Sequence, residues 1–155
     1  MKYLLVVFIA LFSSAKLLAE EEYRLGVGLS AEYNGAGVSL SKVNEDQLFY
    51  ASLGYGGFTH FAGSTDHRYG AGVGWLTSSP FSNNHHSVGI HLGAMYYDAE
   101  IGDAESDISG RLLGLYVYNF NGIDQPGFHL TVFAGTGSAD HGGRFQGGFG
   151  GGYRF

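Results

Sequence analysis

Tyr23-Arg24-Leu25-Gly26-Val27-Gly28-Leu29-Ser30-Ala31-Glu32-Tyr33 is the stretch on which the fold turns. Its odd positions are apolar or aromatic, and its even positions are Arg, Gly, Gly, Ser and Glu. Alternation with a period of two puts one set of side chains on each face of a β-strand. The contrast returns along the chain: Phe49, Ala51, Leu53 and Tyr55 against Tyr50, Ser52, Gly54 and Gly56. It returns again in Tyr69, Ala71, Val73 and Trp75 against Arg68, Gly70, Gly72 and Gly74. Val88, Ile90, Leu92, Ala94 and Tyr96 stand against Ser87, Gly89, His91 and Gly93. Ala36 to Val43, Arg111 to Asn119, Gly127 to Gly135 and Arg144 to Phe155 complete a set of about eight strands, each near the length of a tilted spanning strand.

The second face separates this pattern from a soluble sheet, which also alternates. A wet face ordinarily carries Thr, Lys, Glu and Gln, whereas here it carries Gly and Ser. Glycine weakens a strand interior, so its recurrence needs a steric reason. The lumen of a small barrel supplies one, because it has room only for closely fitted side chains. The apolar face then looks outward at lipid, and aromatics at strand ends form interfacial girdles. Tyr23, Tyr33, Tyr55, Tyr69, Trp75, Tyr96, Tyr153 and Phe155 fall where such girdles lie. The expected fold class is all-β: a closed antiparallel up-and-down transmembrane β-barrel.

The 155 residues suffice for one domain. Lys2 followed by the apolar run Tyr3 to Phe12 reads as a signal peptide, too short to span a bilayer as a helix. Cleavage after Ala19 divides the chain into a leader, 1–19, and an outer-membrane barrel, 20–155. Cleavage after Ala15 is the alternative, since Ser13 and Ala15 fit the small-x-small rule better. Without Lys2 and Lys16, 6 basic residues remain of 8, against 14 acidic ones. That balance opposes nucleic acid as a partner, since binding phosphate requires a basic face. There is no cysteine, hence no disulfide framework and no thiolate metal site. Only 14% of residues are charged, where a soluble domain carries about a quarter.

With both termini in the periplasm, the expected external connections are Asn34-Gly35, Gly57 to His67, Tyr97 to Asp107 and Thr136 to Gly143. Asn-Gly is a strong two-residue hairpin signal. The internal connections are Asn44 to Asp46, Thr77 to His86 and Asn119 to Pro126.

The last strand, Gly147-Gly148-Phe149-Gly150-Gly151-Gly152-Tyr153-Arg154-Phe155, alternates and ends on an aromatic residue. It resembles the terminal strand of bacterial outer-membrane proteins, which implies recognition by the outer-membrane assembly machinery through Phe155. The chain from residue 20 is similar to small eight-stranded barrels of the OmpA-domain, OmpW and opacity-protein kind. Its Gly-Val-Gly-Leu start, residues 26–29, and Gly-rich strands are loosely similar to YfaZ-type proteins. The resemblance implies Gram-negative outer-membrane localisation, with membrane lipids and lipopolysaccharide as surroundings. Two barrels of this size, of the PagP and PagL types, are lipid A enzymes, which makes an acyltransferase or deacylase the sharp alternative.

Such chemistry needs a His base and a Ser within hydrogen-bond reach. His60, Ser64, Asp66 and His67 fall in one expected external loop, and Ser138, Asp140 and His141 in another. The deacylase pattern of His, one residue, then Ser-Asn is absent, and His85, His86 and Ser87 have another order. Asp98, Glu100, Asp103, Glu105 and Asp107 suit Ca²⁺ or Mg²⁺ by ligand type but lack the EF-hand spacing. They read as a solvated acidic loop. His85-His86, beside Asn83 and Asn84, make a poor chelate because adjacent strand residues point to opposite faces. Arg24, Glu32, Arg68, His91, His129, Arg144 and Arg154 take the lumen parity. Glu32 with one of the arginines is the expected internal ion pair, since a charge in a narrow lumen needs a partner. Arg111 takes the lipid-facing parity, placed to snorkel or to meet a lipid phosphate. No catalytic, cofactor-binding or metal-binding residue is assigned. The resulting expectation is a non-enzymatic outer-membrane barrel with a structural or surface-interaction role. Alternatives are the lipid A enzyme, a narrow porin-like channel for small solutes, or a soluble periplasmic barrel holding an apolar ligand.

Overall fold

The computed structural model describes residues 23–61, 64–99, 107–139 and 142–155, so the expected leader lies outside the described residues. Eight strands follow in chain order: β1 Tyr23–Ser30, β2 Gly35–Asn44, β3 Gln47–Phe61, β4 Ser64–Thr77, β5 His86–Ala99, β6 Asp107–Asn119, β7 Gly127–Ala139 and β8 Gly142–Arg154. Every neighbouring pair is antiparallel, and β1 pairs with β8 to close an up-and-down barrel. Closure through Gly26↔Arg154 to Leu29↔Gly151 removes the free sheet edge over that stretch. Tyr23 and Phe155 lie at one end of the barrel, here the terminal end. The last residues of β1, β3, β5 and β7 lie at the other, the loop end.

Alternation holds as the residue pattern requires. Leu29 is 66% exposed and Leu53 62%, while Ser30 and Ser52 beside them are buried. The strands extend beyond their expected limits at the loop end. β3 and β4 remain paired to Phe61↔Ser64, and β7 and β8 to Ala139↔Gly142, so most of the expected loops Gly57 to His67 and Thr136 to Gly143 is sheet.

The lumen holds more bulk than small residues and ion pairs. At the terminal end Val43, Leu48, Leu76, Leu115 and Val117 point inward and are buried together. The β6–β7 connection folds beneath them and inserts Ile123, fully buried. It is tied there by Ile123 N–H donating to Asn84 O at 2.8 Å and by Arg24 donating to the Asp124 carbonyl. The β2–β3 and β4–β5 connections are joined by Ser78 N–H donating to Asp46 O at 2.8 Å.

Candidate functional site

The first connection turns into the barrel. β1 stops at Ser30, and Ala31–Tyr33 form a single 3₁₀ turn whose three residues are all buried. Asn34 follows in the left-handed region at φ 56°, its N–H donating to Ala31 O at 2.9 Å, and Gly35 takes φ 106°. Asn and Gly are the residues that tolerate positive φ, which is why the chain can reverse here. Two expectations are corrected. The connection is the four residues 31–34 closed by the Ser30↔Gly35 pair, not a two-residue Asn34-Gly35 hairpin. Tyr33, expected in an outer girdle, is fully buried inside the lumen. Period-two parity lapses at Ala31, where the chain leaves the strand.

The inward glycines make the space for this turn. A Cβ at Gly152 would stand 2.7 Å from Tyr33 Cε2, and one at Gly26 would stand 2.9 Å from its hydroxyl. A Cβ at Gly54 would overlap the Tyr33 carbonyl oxygen. The glycine-rich face is thus a mould for side chains that enter the lumen from elsewhere.

Glu32 lies at the centre, 3% exposed. Thr131 Oγ1 donates to its Oε2 at 2.7 Å, His129 Nε2 lies 2.8 Å from Oε1, and Arg154 Nη2 lies 3.3 Å from Oε1. Arg154 Nη1 also donates to Asn119 Oδ1 at 2.7 Å. The expected ion pair is present, and its arginine is Arg154. Tyr50 Oη meets His91 Nδ1 at 3.0 Å on the opposite wall.

Arg111 corrects a further expectation. It points inward, and its Nη2 donates to Ala31 O and to Asn34 Oδ1, both at 2.7 Å. Leu113, Leu115 and Val117 share its parity and are buried, whereas Leu112 and Tyr116 face outward. With apolar residues on both faces of β6, alternation alone could not orient the strand. The turn is therefore held from below by Glu32 and from above by Arg111. Asn34 Nδ2 adds a bond to Ser52 Oγ at 2.9 Å.

Among the described side chains, the base candidate His67 and the serine candidate Ser138 lie on separate strands, β4 and β7. His67 Nδ1 meets Tyr55 Oη at 2.8 Å and its ring lies by Tyr69, among outward-facing residues. Ser138 Oγ accepts from Gly110 N–H at 2.8 Å across the β6–β7 pair. The side chains of His60, Ser64, Asp66, Asp98 and Asp107, and the residues Glu100, Asp103, Glu105, Asp140 and His141, lie outside the described residues. His85 Nδ1 meets Asn119 O at 2.9 Å and His86 Nδ1 meets Tyr116 Oη at 2.6 Å, so the two histidines diverge. Among the described residues no group of three or more His, Cys, Asp or Glu side chains is placed to hold a metal ion.

These features define a class: a closed eight-stranded barrel with a packed lumen, an inserted first turn and an apolar outer wall. No protein-family model, curated protein or solved structure matches the chain.

Proposed function

We propose that this protein is a non-enzymatic β-barrel of a Gram-negative outer membrane, exported by its cleaved leader, with a structural or surface-interaction role. One observation carries the reading: the barrel is apolar on the outside. Val27, Leu40, Val73, Ile90, Leu92 and Leu130 each leave about half their surface or more uncovered, and Phe149 is 87% exposed. Among the described side chains Lys42 is the one Asp, Glu, Lys or Arg on this wall, and it rests 5.6 Å from the Tyr23 ring centroid. A soluble protein does not leave an apolar belt of this extent in water. Lipid accepts it, and closed β-barrels satisfy their backbone groups within the hydrocarbon. Aromatics at both ends of the wall match interfacial girdles. The packed terminal end favours a plugged lumen over a channel.

The proposed surroundings are outer-membrane lipids and lipopolysaccharide, with Phe155 as the recognition point for the assembly machinery. Cell fractionation with a gel of boiled and unboiled samples tests the reading. Outer-membrane recovery with a heat-dependent mobility shift is expected. Release in the periplasmic extract without detergent would overturn it.

A further inference from the structure

β1 and β2 are too short for the barrel they close. Their hairpin ends at Ser30↔Gly35, and β2–β3 pairing stops at Ala36↔Tyr55. β3 continues to Phe61 with β4 alone, and β8 from Gly142 to Gly150 pairs with β7 alone. A Cβ at Gly150 or Gly152 would strike β1 backbone, whereas the three atoms nearest a Cβ at Gly147 or Gly148 belong to Phe133 and Phe145. The wall thus has a gap at the loop end, bounded by β8, β3 and the inserted turn. Eight residues at about 3.3 Å, tilted by about 40°, lift β1 only ~20 Å, short of the ~25 Å apolar band of an outer-membrane barrel. On the outer-membrane reading, the gap therefore opens within the membrane and not above it.

A cavity of about 390 Å³ occupies this gap, within the range of small-ligand sites (about 300–1,000 Å³). Its lining joins the two surfaces of the wall: outward Leu29 and Phe149 at the mouth, inward Arg68, Met95, Arg111 and Gln146 behind. Apolar residues thus face the membrane side, and two arginines line the lumen side. Arginine forks suit carboxylate and phosphate oxygens.

We propose that the gap is a side portal that admits the anionic head of an acyl-chain amphiphile from the membrane, its chain remaining along Leu29 and Phe149. This rests on the outer-membrane reading. The head group would meet Arg68 and Arg111, and Asn34 and Ser30 offer further polar atoms at the cavity floor. Because Arg111 also holds the inserted turn, Arg68→Gln carries the charge test and Gln146→Trp the access test.

The experiment uses the full barrel, extracted in a neutral detergent, with the unboiled gel band as the check on folding. Oleate, uncharged monoolein and inorganic phosphate are titrated separately by calorimetry. Saturable oleate binding is expected, weakened at least about tenfold by Arg68→Gln, since a charge-assisted contact is lost. Gln146→Trp is expected to weaken it similarly while both arginines remain. Equal binding of monoolein, phosphate binding as tight as oleate, or no oleate binding by a folded, outer-membrane barrel would overturn the portal and leave the membrane reading standing. Recovery as a soluble protein would remove both.

Discussion

Replacing Glu32 by Ala removes the carboxylate on which Thr131, His129 and Arg154 converge. Thr131 loses its acceptor, His129 its partner, and Arg154 keeps only Asn119 among the contacts described above. Arg154 is itself 4% exposed, so its charge would stand in a buried site without its counter-ion. Breaking a buried pair from one side costs about 3–5 kcal/mol, because the surviving charge is not solvated. Glu32→Gln keeps an acceptor for Thr131 and should cost less, about 1.5–3 kcal/mol for the charged hydrogen bonds lost. Combining Glu32→Gln with Arg154→Met removes both charges, and the double variant should be more stable than the two single losses added, by about 1–3 kcal/mol. Urea titration of the barrel in detergent micelles measures this, read by the folded gel band and by the fluorescence of Trp75, the chain's one tryptophan. A loss below about 1 kcal/mol for Glu32→Ala, or strict additivity in the double variant, would refute the claim that the network holds the turn.

Leu92→Arg places a charge on the outer wall and should destabilise the bilayer-inserted barrel by about 2–4 kcal/mol; an unchanged midpoint in lipid would argue that this wall does not face hydrocarbon. Gly54→Val should prevent the first turn from seating, since its Cβ meets the Tyr33 carbonyl oxygen; protease protection of the 31–34 connection equal to wild type would contradict this. Ile123→Ala empties the packing beneath the lumen and should cost about 2–5 kcal/mol of unfolding free energy in micelles, with a negligible change indicating that the β6–β7 connection does not seal the barrel. Planar bilayers containing the purified protein should show no discrete conductance steps; regular steps would restore the channel reading.

The strands were legible in the sequence because period-two alternation is a local property, set by which face each side chain takes. The glycine-rich second face likewise signalled a confined interior. The acid at Glu32 announced an arginine partner, since a charge in a narrow lumen demands one. Which arginine it would be was not legible, because Arg154 is 122 residues away and only barrel closure brings them together. Tyr33 and Arg111 were misplaced for related reasons. The inward turn at Ala31 follows from space left by glycines on β1, β3 and β8, and β6 carries apolar residues on both faces. The side gap depends on comparing how far four separate pairings extend. Local residue pattern thus determined strand number, the faces of the strands that alternate cleanly, and the closed antiparallel class. Tertiary structure alone decided what fills the lumen and where the wall stops, since both depend on strands meeting that are distant along the chain.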